Sequence, residues 1–238
     1  MIQQEIHKQV SIELNDVTLQ GNLVVPESAI GIIVFSHGSG SSRLSPRNNY
    51  VARFLQGRGL ATLLFDLLTE SEDSVYETRF DIELLTKRLI AATNWVRNQP
   101  KINRLPIGYF GASTGAASAL RAAAFFGKKI NAVVSRGGRP DMAMAELHKV
   151  TAPTILIVGG WDNVVIELNK EAYAKLRCER KLEIVSEASH LFEEAGKLEE
   201  VAKLSAHWFV SSITSKKDTD VLRQDRCRNS VGRKTEPF

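Results

Sequence analysis

Cysteine is nearly missing from this chain: Cys178 and Cys227 are the only two among 238 residues, and their surroundings share no motif. A disulfide framework is therefore not expected, and neither cysteine has metal-ligand spacing, so both read as free thiols and no metal is expected. Long apolar runs are missing too. Stretches such as Ile30–Phe35 and Thr154–Val158 have strand length and are too short to cross a bilayer, so no membrane partner is expected. The first residues, Met1-Ile-Gln-Gln-Glu, lack the basic start and apolar stretch of a secretory leader, which makes the cytoplasm the expected location. No Walker A phosphate loop and no H-E-x-x-H zinc motif occurs.

Charge of one sign is also scarce outside one segment. The net charge is +4, and between Ser215 and Phe238 seven Lys or Arg face four Asp or Glu, a surplus of three. The rest is close to neutral, so a basic surface of the kind that holds nucleic acid is not expected. The C-terminal segment is polar and poor in apolar residues, which reads as a disordered, solvated tail. The expected organisation is one domain over residues 1–213 and a basic tail over residues 214–238.

With 43% hydrophobic and 24% charged residues, the chain has enough apolar material for a full core. Glu5–Leu14 and Val17–Val25 alternate apolar and polar residues around Asn15-Asp16, the pattern of a hairpin. From Gly31 onward, short continuous apolar runs alternate with helix-like stretches. The runs are Gly31–Ser36, Ala61–Asp66, Ile107–Phe110, Ala132–Ser135, Thr154–Val158 and Lys181–Val185. Helices are expected near Asn49–Gln56, Arg79–Val96, Thr114–Phe126, Glu167–Leu176 and Glu193–Ser211. This alternation predicts an α/β fold, a mostly parallel mixed sheet with helices on both faces, whose strand carboxyl ends collect the ligand.

One such strand end carries Gly111-Ala112-Ser113-Thr114-Gly115, with a helix-like stretch after it. G-x-S-x-G between strand and helix is a nucleophile elbow: the turn is so sharp that the flanking residues must be small, and it lifts the serine hydroxyl to a helix N-terminus. The competing structural reading is a small-residue turn that packs a helix closely on a sheet. Serine needs a base. Among His7, His37, His148, His190 and His207, only His190 follows the last buried strand, in Ser186-Glu187-Ala188-Ser189-His190, with His37 a distant second. The acid should lie between serine and histidine in the chain. Asp162 does, in Gly159-Gly160-Trp161-Asp162; Asp141 is the competitor, although it also suits a helix cap after Pro140.

The strand Gly31–Ser36 runs into His37-Gly38-Ser39-Gly40, where backbone N–H groups can turn toward a substrate oxygen. Ser39 and Thr114 are the expected oxyanion donors, and His37 the expected brace of that loop. A dinucleotide reading of Gly38-x-Gly40 fails because Arg43 stands where the third glycine belongs. Arg43, Arg47, Arg136 and Arg139 are expected at the same rim, where they would either hold an anionic substrate group or pair with carboxylates such as Asp141 and Glu70.

With those residues in place, the chain from about Ile6 to Trp208 resembles the dienelactone hydrolase-like branch of the α/β-hydrolases. The likeness rests on Phe35–Gly40, the Gly111–Gly115 elbow, Gly160–Ile166 and Ala188–Phe192. It implies a sheet of about eight strands and hydrolysis of an ester or lactone without a cofactor. Dienelactone hydrolases look to carry cysteine as nucleophile where this chain has Ser113, which speaks against dienelactone itself as substrate. Relatives also occur joined to phosphoribosyltransferase domains, for which 238 residues leave no room. Many relatives insert a lid where this chain has only Arg136–Pro153, so an open, shallow site and a small water-soluble ester are expected. A catalytically silent scaffold and an acyltransferase with the same triad are the alternatives.

Overall fold

The structure, a computed structural model, describes residues 6–231, with side chains described as far as residue 215. Eight strands form one sheet in the order β1-β2-β4-β3-β5-β6-β7-β8. In chain order they are β1 (Ile6–Glu13), β2 (Thr18–Val25), β3 (Gly31–Ser36), β4 (Leu60–Phe65), β5 (Ile107–Ala112), β6 (Ile130–Arg136), β7 (Thr154–Gly159) and β8 (Arg180–Val185). β2 pairs antiparallel with both β1 and β4, and every later pairing is parallel. This is the mixed, mostly parallel sheet of the α/β-hydrolase fold that the sequence predicted.

Burial follows from the pairing. The central strands β3, β4, β5 and β7 are buried at every residue, as a sheet covered on both faces requires. β1 keeps the alternation of a strand with one wet face. α1 (Pro46–Gln56) and α6 (Lys197–Val231) pack on one face, through Val51, Leu55, Val201 and Phe209. α3 (Ile82–Asn98), α4 (Thr114–Phe126) and α5 (Asn163–Lys175) pack on the other, through Leu85, Leu89, Leu120 and Ala172; α2 (Glu70–Asp73) is a single turn before α3. Among the described residues no helix is long and apolar enough to cross a membrane.

Helix ends depart from the sequence expectation where capping decides them. α1 starts at Pro46, because Ser45 accepts the N–H of Asn48 at 3.3 Å and proline suits the first helical position. The stretch expected as one helix from Arg79 is a 3-10 turn over Glu77–Phe80 and then α3, whose first turn is capped by Asp81 accepting from the N–H of Leu84 at 2.9 Å. α6 runs to Val231, so the backbone of the segment read as a disordered tail is helical through that residue, and residues 232–238 lie outside the described residues. Residues 216–231 hold two Lys, three Arg and three Asp, which favour or tolerate helix without demanding a partner surface. Residues 1–5, read as lacking a leader, and the side chain of Cys227 also lie outside what is described.

α4 lies unusually close to the sheet, and its composition explains why. A Cβ on Gly115 would sit 2.2 Å from the carbonyl oxygen of Ser36 and 2.4 Å from that of His37. One on Gly111 would sit 2.5 Å from the Cα of Ala116. Neither obstacle is a flexible side chain, so Gly115→Ala should cost about 3 kcal/mol or more. For a chain of this size that lowers Tm by about 6–12 °C, to be read by thermal unfolding; a shift under about 2 °C would show that α4 can retreat freely.

Candidate active site

Ser113 ends the turn between β5 and α4 with φ 51° and ψ −122°, a region that L side chains rarely adopt. Its carbonyl accepts from the N–H groups of Ala116 and Arg139, both at 3.0 Å, and its own N–H donates to the carbonyl of Arg136 at 3.1 Å. The strained conformation is thus held by three backbone bonds. Ser113 occupies the N-cap position of α4 without making a side-chain cap bond, so its hydroxyl stays available for chemistry.

His190 and Asp162 come from the loops after β8 and β7. The two loops are zipped together: Gly160 N–H donates to Val185 at 2.8 Å, and Trp161 N–H to Ala188 at 3.0 Å. Gly159 permits the approach, since a Cβ there would sit 2.4 Å from the carbonyl oxygen of Ser189. His190 Nδ1 lies 2.6 Å from Asp162 Oδ2. A carboxylate can only accept, so Nδ1 carries the proton and Nε2 is left as a base. Asp162 makes no cap bond to α5, which frees its carboxylate for the imidazole. Asp141, the competing acid, is held instead by a two-point contact from Arg139 at 2.9 and 2.8 Å.

No described hydrogen bond involves Ser113 Oγ; Gly137, which follows Arg136 on the strand beside Ser113, faces the imidazole instead, and a Cβ there would lie 3.4 Å from His190 Cε1. Sequence reasoning passed over Glu194, whose Oε2 accepts the N–H of Ser189 at 3.0 Å and so tethers the residue before the base. Hydrogen bonding from Ser189 holds the Glu194 carboxyl below its ordinary pKa. A carboxylate five residues after an otherwise flexible Ser-His was the available signal.

Ser39 and Thr114 do meet. Ser39 N–H donates to Thr114 Oγ1 at 2.9 Å, so the loop after β3 is tied to the first turn of α4. Thr114 N–H belongs to the helix's first turn, whose donors have no intrahelical acceptor. In the resting structure one expected oxyanion donor is thus engaged by the hydroxyl of the other residue, and an incoming oxyanion must displace or share that contact.

His37 braces this loop. Its Nε2 accepts from the N–H of Leu67 at 3.0 Å, which leaves the proton on Nδ1, 2.9 Å from the carbonyl of Gly38. Burial lowers its pKa from the usual 6.5, outweighing the hydrogen bond to Gly38 and the charges of Asp66 and Asp73. A folded pKa below the unfolded one means that the contribution to stability is complete above about 6.5 and is lost as pH falls through the folded value. Tm is therefore expected to drop on acidification below that point, with a shallower drop in His37→Gln. Parallel Tm–pH profiles for the two proteins would refute this.

Of the four arginines, two are committed elsewhere. Arg43 pairs with Asp66 through both its side chain and its backbone N–H, and Arg139 holds Asp141. Arg47 contacts Glu193 at 2.6 Å, and among the described residues Arg136 has no carboxylate partner. A cleft of about 650 Å3 is lined by His37, Arg43, Asp66, Leu68, Glu70 and Asp73; Ser113, Asp162 and His190 do not line it. Among the described residues no group of three or more His, Cys, Asp and Glu side chains is placed to hold a metal ion.

The model of the dienelactone hydrolase family matches residues 19–211. A Mycobacterium tuberculosis protein named "putative phosphoribosyl transferase" is 54% identical over 206 residues, which make up 87% of this chain and 46% of that protein. The chain thus spans about half the length of the curated relatives it matches. A dienelactone hydrolase from Anabaena variabilis superposes with a TM-score of 0.85 at 52% identity, covering 88% of this chain and 99% of that one. Est1E from Butyrivibrio proteoclasticus shares the fold at 15% identity, with a TM-score of 0.75 over 87% of this chain and 99% of that one. The elbow, the paired loops and these matches lead to one conclusion: the chain belongs to the dienelactone hydrolase family and has the α/β-hydrolase fold.

Proposed function

We propose that the chain is a serine hydrolase that cleaves a small carboxylic ester or lactone through an acyl-enzyme at Ser113. The observation that carries this reading is the 2.6 Å contact from His190 Nδ1 to Asp162 Oδ2, in which Nδ1 donates and Nε2 is turned away from the carboxylate. Ser113 Oγ attacks the carbonyl carbon while His190 Nε2 takes its proton. The carbonyl oxygen becomes an oxyanion, held by the N–H groups of Thr114 and Ser39. Collapse breaks the ester bond, and His190 returns the proton to the departing alcohol. Water then repeats the sequence on the acyl-enzyme and releases the acid. The Mycobacterium tuberculosis protein's name is not carried over, since the chain matches less than half of it.

The loop between β6 and β7 supports a small substrate. It holds only two 3-10 turns, Pro140–Ala143 and Leu147–Lys149, with no lid. Labelling with a fluorophosphonate followed by peptide mapping tests the mechanism. Covalent label on Ser113, lost in Ser113→Ala, is the expected result. A folded protein that stays unlabelled would overturn the serine mechanism and favour a binding role.

A further inference from the structure

The peptide between Gly38 and Ser39 is pinned at both ends. The Gly38 carbonyl accepts from His37 Nδ1 at 2.9 Å and from the N–H of Ser41 at 3.2 Å. The Ser39 N–H donates to Thr114 Oγ1 at 2.9 Å. This peptide also lies against the nucleophile: a Cβ on Gly38 would sit 3.0 Å from Ser113 Cβ and 3.7 Å from Ser113 Oγ. Thr114 opens α4, and the Cα–Cβ bond of a helical residue tilts toward the helix N-terminus, so its side chain faces the same end of the sheet. An oxyanion that reaches the Ser39 N–H therefore arrives beside the Thr114 hydroxyl.

That hydroxyl belongs to a residue only 2% exposed, and among the described residues no acceptor takes its proton. A hydroxyl that accepts one hydrogen bond keeps a proton to give. Other buried threonines of this fold give theirs to a backbone carbonyl: Thr86 to Ile82 at 2.6 Å, Thr93 to Leu89 at 2.8 Å and Thr154 to Ala152 at 2.9 Å. Thr86 and Thr93 use the helical turn that precedes them, whereas Thr114 is the first residue of its helix and has no such turn. A buried donor without an acceptor costs stability, and an acceptor that forms during the reaction recovers that cost in the transition state.

We propose that the Thr114 side chain is a third oxyanion donor. Its hydroxyl shares the Ser39 N–H with the oxyanion and donates its own hydrogen bond to the oxygen that gains charge when Ser113 attacks. This rests on the hydrolase reading above. No proton changes hands in the contact: the oxygen takes the electron pair of the opened C=O and gives it back when the ester bond breaks. The hydrogen bond from Ser39 polarises the hydroxyl, which makes it a stronger donor than a free one. Because the contact gains strength only as charge forms, it acts on kcat rather than on KM. The competing role is a brace, in which the hydroxyl does no more than hold Ser39 in place.

The test is Thr114→Val, which keeps the shape and removes the hydroxyl, beside Thr114→Ser, which keeps the hydroxyl; Thr114→Ala replaces the valine variant if that one does not fold. With p-nitrophenyl butyrate, Thr114→Val should lower kcat by about 100-fold with KM within about threefold, and Thr114→Ser should stay within about fivefold of wild type. The thionobutyrate ester reads the contact itself, because sulfur in place of the carbonyl oxygen is a weak acceptor. Wild type should prefer the oxygen ester, and Thr114→Val should shrink that preference by about tenfold or more. A double-mutant cycle with Ser39→Pro, which lacks the N–H, separates donor from brace. A direct donor makes the double variant at least about tenfold slower than Ser39→Pro alone. A brace makes the two equal and overturns the proposal. If Ser39→Pro does not fold, the thionoester decides: an unchanged oxygen-to-sulfur preference in Thr114→Val overturns it. Wild-type kcat in Thr114→Val overturns it too, while the hydrolase reading stands. No turnover of either ester by wild type, with no fluorophosphonate label on Ser113, refutes the hydrolase reading and this donor with it.

Discussion

Ser113→Ala is expected to lower kcat for ester hydrolysis by about a million-fold while leaving the fold intact. The truncation removes the atom that makes and breaks the acyl bond, so no part of the two-step route survives. What remains is the slow attack of water helped by the oxyanion donors, still about 10^3–10^4-fold above solution. Stability should hardly change, because the Ser113 side chain makes no cap bond and the backbone strain at φ 51° is the same for alanine. Turnover of a p-nitrophenyl ester, with circular dichroism to confirm folding, provides the measurement. Retention of more than about 1% of wild-type kcat would place the nucleophile elsewhere.

Asp162→Asn should lower kcat by about ten-thousand-fold with KM near its wild-type value. The change keeps the shape and replaces an acceptor-only carboxylate with an amide that can also donate. Nδ1 of His190 then becomes an acceptor, its proton moves to Nε2, and the imidazole can no longer take the proton of Ser113. The imidazolium that forms during attack also loses its counter-charge. Asp141→Asn is the control, because that carboxylate is committed to Arg139 and should leave kcat within about threefold of wild type. Equal losses in the two variants would argue against Asp162 as the orienting acid.

The fold was largely legible because its signal is local. Continuous apolar runs mark strands buried on both faces, and β3, β5 and β7 fall where Gly31–Ser36, Ile107–Phe110 and Thr154–Val158 foretold them. The elbow was legible for the same reason: Gly111 and Gly115 record a close approach that leaves no room for a Cβ. Charge pairing was not legible. Arg43 takes Asp66 rather than Glu70, and Arg47 takes Glu193 from 146 residues away. Which carboxylate meets which guanidinium depends on how separate loops converge, and no spacing encodes that. For the same reason the solitary state of Arg136 could not be read from a list of four arginines. The extent of α6 was hidden too, since residues beyond Ile213 lack the apolar period that marks a packed helix.

The sheet divides the three proposed catalytic residues between two groups of strands. Ser113 directly follows β5, which pairs with β3 through five registered residues and with β6 through six. Asp162 and His190 ride on β7 and β8, which share six registered residues and are zipped at their exits by the Gly160 and Trp161 bonds. Between these groups β6 and β7 register over only four residues, the shortest of the parallel ladders. A shear along that seam would change the separation of Ser113 and His190, while Asp162 and His190 would move together. Ser113 and His190 therefore lie on opposite sides of that seam, and the 2.6 Å hydrogen bond between His190 and Asp162 lies wholly on one side.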